Sequence, residues 1–117
     1  MDLHEFVAGL VERERSETRA RRARARQARS RLGSAVRLLV DDLAVKRVVL
    51  FGSLLNDELF ADSDVDLATE GLDTAQYFHA VDRLSEVLGM PVDLVLLEEA
   101  PPSLLERIRR EGEVLHG

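Results

Sequence analysis

Apolar side chains recur at Leu3, Phe6, Val7, Leu10 and Val11, the i, i+3, i+4, i+7, i+8 spacing of one face of a helix. The stripe then stops. From Glu12 to Arg24 there is no large apolar residue, although the Glu, Arg and Ala content of that stretch favours helix. It reads as a solvated helix supported by i,i+4 pairs such as Glu17 with Arg21. The stripe resumes at Ala28, Leu32, Ala35, Leu39 and Leu43, and Gly33 weakens the helix there without ending it. Residues 2–43 are thus one long helix, or two broken between 12 and 34.

Beyond residue 43 the pattern shortens and alternates. Lys46–Phe51 (KRVVLF) is a short apolar run rich in β-branched residues and predicts a buried strand. A loop with room for one helical turn covers Gly52–Ser63, and Asp64–Thr69 predicts a second strand. Thr74 is placed to cap a helix whose inward stripe is Tyr77, Val81, Leu84 and Leu88, ended by Gly89. Pro91–Leu97 (PVDLVLL) predicts a third strand. Pro101-Pro102 opens a last helix carrying Leu104, Leu105 and Ile108, with Gly112 near its end. The order α–β–β–α–β–α predicts an α+β fold: a small mixed sheet of three or more strands, flanked by helices, with a long N-terminal helical extension.

A chain of 117 residues, 45% of them apolar, suits one domain with a modest core. The start MDLHEF lacks the basic and apolar regions of a signal peptide, and no apolar run is long enough to span a bilayer. Without cysteine, a disulfide framework and a thiolate metal site are excluded, so a cytoplasmic location is expected. The net charge of −6 is unevenly spread. Residues 1–37 hold ten arginines against five acids, and residues 38–117 hold six basic groups against seventeen acids. Basic stripes bind phosphate backbones, but Glu12, Glu14 and Glu17 dilute this one. No aromatic residue lies between Phe6 and Phe51, so a solvated helix is the plainer reading. The Leu3–Val11 stripe needs a cover, from this domain, a second copy (a homo-oligomer) or another protein.

The candidate chemistry lies in FGSLLNDELFADSDVDLATE, where Gly52-Ser53 precedes Asp64-x-Asp66 by ten residues. Strand side chains alternate, so Asp64 and Asp66 share a face while Val65 and Leu67 pack on the other. Asp93, between Val92 and Leu94, joins them if its strand is a neighbour. Three carboxylates on one face raise one another's pKa values, and a divalent cation resolves the conflict. Magnesium accepts hard oxygen ligands, commonly one or two carboxylates plus substrate phosphates. Glycine lets a ligand approach the backbone closely, and Ser53 adds a hydroxyl for a phosphate oxygen. The plainer alternatives are a solvated edge strand for the acids and a capped turn for Ser53. The three histidines, His4, His79 and His116, lack metal-ligand spacing. Tyr77 fits the core stripe better than a role as acceptor.

Taken together, Gly52-Ser53, Asp64-x-Asp66 and a third aspartate in a later strand resemble the nucleotidyltransferase superfamily that shares its fold with DNA polymerase beta. PVDLVLL and PPSLLERIRREGEVLHG are similar to the minimal nucleotidyltransferases, over about residues 28–117, with residues 1–27 as an Arg-rich helical extension. The resemblance implies Asp64, Asp66 and Asp93 as the catalytic, metal-binding acids, with two Mg²⁺ ions once nucleotide is bound. It implies Gly52 and Ser53 as the triphosphate-binding turn. The implied reaction is transfer of AMP from ATP to a hydroxyl, a tyrosine of a cognate HEPN-domain toxin, which the protein would neutralise as an antitoxin. A binding-only antitoxin with a degenerate site is the alternative. Family members often carry an arginine after the serine, a further basic residue and a glycine; this chain has Leu54, Asn56 and Asp57. That change disfavours a triphosphate on Coulomb grounds. An arginine of the N-terminal helix could compensate, a point the sequence does not decide.

Overall fold

One helix, α1 (Leu3–Arg37), runs unbroken through the arginine-rich region of the computed structural model, which describes residues 1–117. The Asp2 carboxylate starts it, accepting a hydrogen bond from the Glu5 N–H at 2.8 Å. The two ends of α1 differ. Ala25, Ala28, Leu32 and Ala35 are buried, so small side chains let the helix lie close against the domain. Leu3, Phe6, Val7, Leu10 and Val11 stay exposed, and nothing in this chain covers them. The projecting helix contributes to an elongated envelope of 60 × 29 × 20 Å. The expected boundary at residues 27 and 28 falls inside this continuous helix, whose core contacts already begin at Ala25. Arg21 pairs with Glu14 at 3.2 Å rather than with Glu17, and its guanidinium lies 4.8 Å from the Phe60 ring centroid. A π-helical turn, Leu38–Asp42, extends α1 and places both Leu38 and Leu39 in the core.

Four strands form the sheet: β1 (Arg47–Phe51), β2 (Val65–Glu70), β3 (Val92–Leu96) and β4 (Glu113–His116), in the order β3-β2-β1-β4. β1 is antiparallel to β2 and β4, whereas β2 and β3 are parallel. That parallel pair requires a crossover, supplied by α2 (Tyr77–Leu88). The element order predicted from sequence lacked β4. EVLH is four residues long, half polar and mostly exposed, too weak a signal to stand apart from the preceding helix α3 (Pro102–Glu111). The cap of the segment leading into α2 also moves by one residue. Asp73, not Thr74, caps a single 3₁₀ turn, Thr74–Gln76, accepting from the Ala75 N–H at 3.0 Å. In α2 the deepest positions are Ala80, Leu84 and Leu88, with Tyr77 and Val81 packed at the edge.

Strand alternation gives the sheet two unlike faces. Val48, Leu50, Val65, Leu67, Val92 and Leu94 face α1 and α2 and form the main core. Val49, Phe51 and Ala68 face the other way and meet Ile108 of α3 in a smaller cluster. Gly112 allows α3 to end against β1, since a Cβ there would lie 2.6 Å from Cγ1 of Val49.

Candidate functional site

Asp66 lies inside β2 and pairs in parallel register with Asp93 of β3. Both acids share the parity of Ala68 and Val95, so they lie on the α3 side of the sheet. Asp64 lies one residue ahead of β2, which begins at Val65 rather than at Asp64 as predicted. Its charge still acts on Asp66. The Asp66 carboxyl is raised from 3.8 to about 6, first by burial, then by the charges of Asp93 and Asp64 and a hydrogen bond shared with Asp93. Arg107 of α3 acts in the opposite sense. Asp66 is half-buried, while Asp64 and Asp93 are exposed.

The three carboxylates do not close into a three-ligand cage by themselves. They are nonetheless hard oxygen donors, and burial together with the charges of Asp93 and Asp64 disfavours an ionised, metal-free Asp66. Such a set suits Mg²⁺, which keeps several waters and takes the rest of its ligands from phosphates.

Gly52 and Ser53 follow β1 directly. Gly52 has φ 79°, and a Cβ there would lie 2.8 Å from Cγ of Asp66. Only glycine lets this turn rest against the acid. Ser53 then opens the 3₁₀ turn Ser53–Asn56. Beside it lies a cavity of about 550 Å³, lined by Phe51, Gly52, Ser53, Asn56, Arg107 and Glu111 among others. A separate hollow of about 510 Å³ is lined by Val49, Leu97, Leu105 and Val114 together with charged residues such as Glu70 and Arg109. None of the three acids lines either space, and Asp66 meets the first through Gly52.

The residues after the serine have distinct fates. Leu54 is buried in the main core, so its position could not present a cation to the cavity. Asp57 adopts φ 57°, and its carboxylate accepts from Arg29 Nε at 2.8 Å. Of the N-terminal helix arginines, Arg29 reaches this loop. It is engaged by Asp57 and by Glu113 at 3.2 Å, however, and no residue of α1 lines the cavity. It cancels Asp57; it does not replace the missing cation.

Arg107 was missed from the sequence, where a basic residue in a C-terminal helix reads as solvated surface. The usable signal was its place beside Ile108: once Ile108 packs on the sheet, Arg107 falls at the margin of that contact, near the acids. His4, His79 and His116 are all exposed. Tyr77 donates its hydroxyl to the Leu94 carbonyl at 2.6 Å, which commits it to the edge of β3.

Residues 35–117 match the family described as polymerase beta, nucleotidyltransferase. A Methanocaldococcus jannaschii protein named as a protein adenylyltransferase is 36% identical over 63 residues, covering 51% of this chain and 64% of that protein. The chain therefore matches a little under two thirds of that relative's length. A solved minimal nucleotidyltransferase is similar at a TM-score of 0.67 and 28% identity, over 76% of this chain and 93% of that one. The complex of a tri-AMPylated Shewanella oneidensis HEPN toxin with an MNT antitoxin gives a TM-score of 0.61 and 26% identity, over 77% and 72% of the two chains.

Proposed function

Because the chain belongs to the polymerase beta nucleotidyltransferase family, we propose that it uses ATP and Mg²⁺ to transfer AMP to a protein hydroxyl. The acceptor we propose is a tyrosine of a cognate HEPN-domain toxin, so that the protein acts as an antitoxin. The carrying observation is the Asp66–Asp93 pair, in register on the same side of the sheet as the cavity at Gly52-Ser53. In this reading Asp64 and Asp66 hold the metal, and Asp93 completes one metal site. Bound magnesium supplies neutralisation of the charge on the reacting phosphate. Gly52 and Ser53 hold the triphosphate. The acceptor oxygen forms a bond to the α-phosphorus as the bond to pyrophosphate breaks, and the hydroxyl proton passes to the Asp93 carboxylate. Little else is required, because nucleotidyl transfer depends mainly on positioning and charge stabilisation.

The test uses purified protein, Mg²⁺, α-labelled ATP and the partner toxin. Wild-type protein labels the toxin, and Asp64→Ala and Asp66→Ala abolish the label. Undiminished labelling by both variants defeats the catalytic assignment. A binding-only antitoxin is the second reading, favoured by the buried Leu54 and uncharged Asn56 after the serine. It predicts inhibition of the toxin without nucleotide and no heat on titration with MgATP.

A further inference from the structure

The cavity at Gly52-Ser53 contains one arginine, and it comes from outside the motif. Arg107 forms none of the ion pairs that occupy its neighbours on α3: Arg109 is held by Glu106 at 2.8 Å and Arg110 by Glu111 at 3.3 Å. On the other side of the loop, Arg29 is held by Asp57 and Glu113. Arg29, Arg109 and Arg110 are thus each held by a carboxylate, whereas Arg107 has no ion pair and lines the cavity wall. Arg107 is exposed, on the wall of a cavity it shares with Phe51 and Ile108. The turn itself offers no positive charge, with Leu54 in the core and Asn56 neutral. A triphosphate brings several negative charges to a turn that already rests against Asp66, in a cavity that also holds Glu111. A guanidinium presents a planar fork of donors suited to phosphate oxygens.

We infer that Arg107 is the triphosphate-positioning residue of this chain: α3, rather than the Gly-Ser turn, supplies the cation for the β- and γ-phosphates of the nucleotide. This deepens the nucleotidyltransferase reading above and rests on it. The ligand class is a nucleoside triphosphate, distinguished from a monophosphate by the phosphates that Arg107 meets. Asn56 lies on the wall formed by the turn, and an arginine placed there would restore the charge from the opposite side.

The experiment is calorimetric titration with MgATP and, separately, with AMP and Mg²⁺, alongside toxin labelling. It compares wild type, Arg107→Ala, Arg107→Lys and the double variant Asn56→Arg/Arg107→Ala. Arg107→Ala weakens MgATP binding about tenfold or more, while its effect on AMP stays within about twofold. Arg107→Lys retains an intermediate affinity, and Asn56→Arg recovers most of the loss. In labelling, the change falls chiefly on KM for ATP. An unchanged urea midpoint for Arg107→Ala establishes that the loss is local. Wild-type affinity for MgATP in Arg107→Ala overturns the inference and leaves the nucleotide reading intact. An equal loss for ATP and AMP also overturns it, because the arginine would then not select the outer phosphates. Absence of MgATP binding by the wild type overturns both readings.

Discussion

The two faces of the sheet are built from the same strands yet serve opposite ends. Toward α1 and α2, the alternate residues are nearly all aliphatic and buried, including Val48, Leu50, Leu67 and Leu94, with Thr69 the polar exception. Toward α3, the intervening positions include Asp66 and Asp93, with only Val49, Phe51, Ala68 and Ile108 in a small apolar cluster. One face gains free energy by excluding water. The other keeps acids adjacent and half-wet, at some cost to the folded state. The contrast teaches that a two-residue period lets a small domain separate stability from chemistry within one strand, with Leu67 serving the first and Asp66 the second.

Three substitutions test that division, in decreasing order of effect. Leu67→Ala removes a fully buried side chain and lowers stability by about 3 kcal/mol in urea unfolding. A loss below about 1 kcal/mol would show that the main core does not carry the fold. Gly52→Ala places a methyl group against Asp66 at positive φ and costs about 1–2 kcal/mol. It also abolishes MgATP binding measured by calorimetry. Retained binding would separate the turn from the site.

Asp66→Asn acts in the reverse direction. The folded-state value of about 6 against 3.8 means that metal-free folded protein holds this proton more tightly than the unfolded chain. Stability from Asp66 is therefore fully present at low pH, declines as pH rises from about 4 to 6, and stays reduced above. In chelator at neutral pH, Asp66→Asn gains about 1 kcal/mol, allowing for solvent screening, and flattens that decline. A loss of stability at neutral pH would show that the ionised acid is supported by contacts rather than strained by its neighbours.

Much of this division was readable in advance, because parity along a strand is a local property. VVLF, VDLAT and VDLVL announce their strands, and the alternation around Asp66 and Asp93 assigns each to the polar side. Register is not local. That Asp66 pairs directly with Asp93 depends on the parallel crossover through α2, and no run of residues states it. Asp64 misled for a related reason: alternation was extended one residue beyond the point where β2 begins at Val65. β4 escaped notice because its four residues gain strand character from pairing with β1, not from their own sequence. Arg107 escaped because its value lies in its surroundings, which α3 determines only after Ile108 has docked. The continuity of α1 was left open by a segment with high helix propensity but no apolar stripe, and propensity prevailed.

The position of β1 between β2 and β4 has a consequence for how the molecule is made. Along the chain the motif turn and Asp66 come well before the stretch from Pro102 to His116, and Asp93 comes just before it. Until that stretch is added β1 presents a bare edge, and the nascent chain lacks the wall that carries Arg107. A chain lacking the stretch from Pro102 onward would thus hold every motif residue but not the wall that completes the pocket.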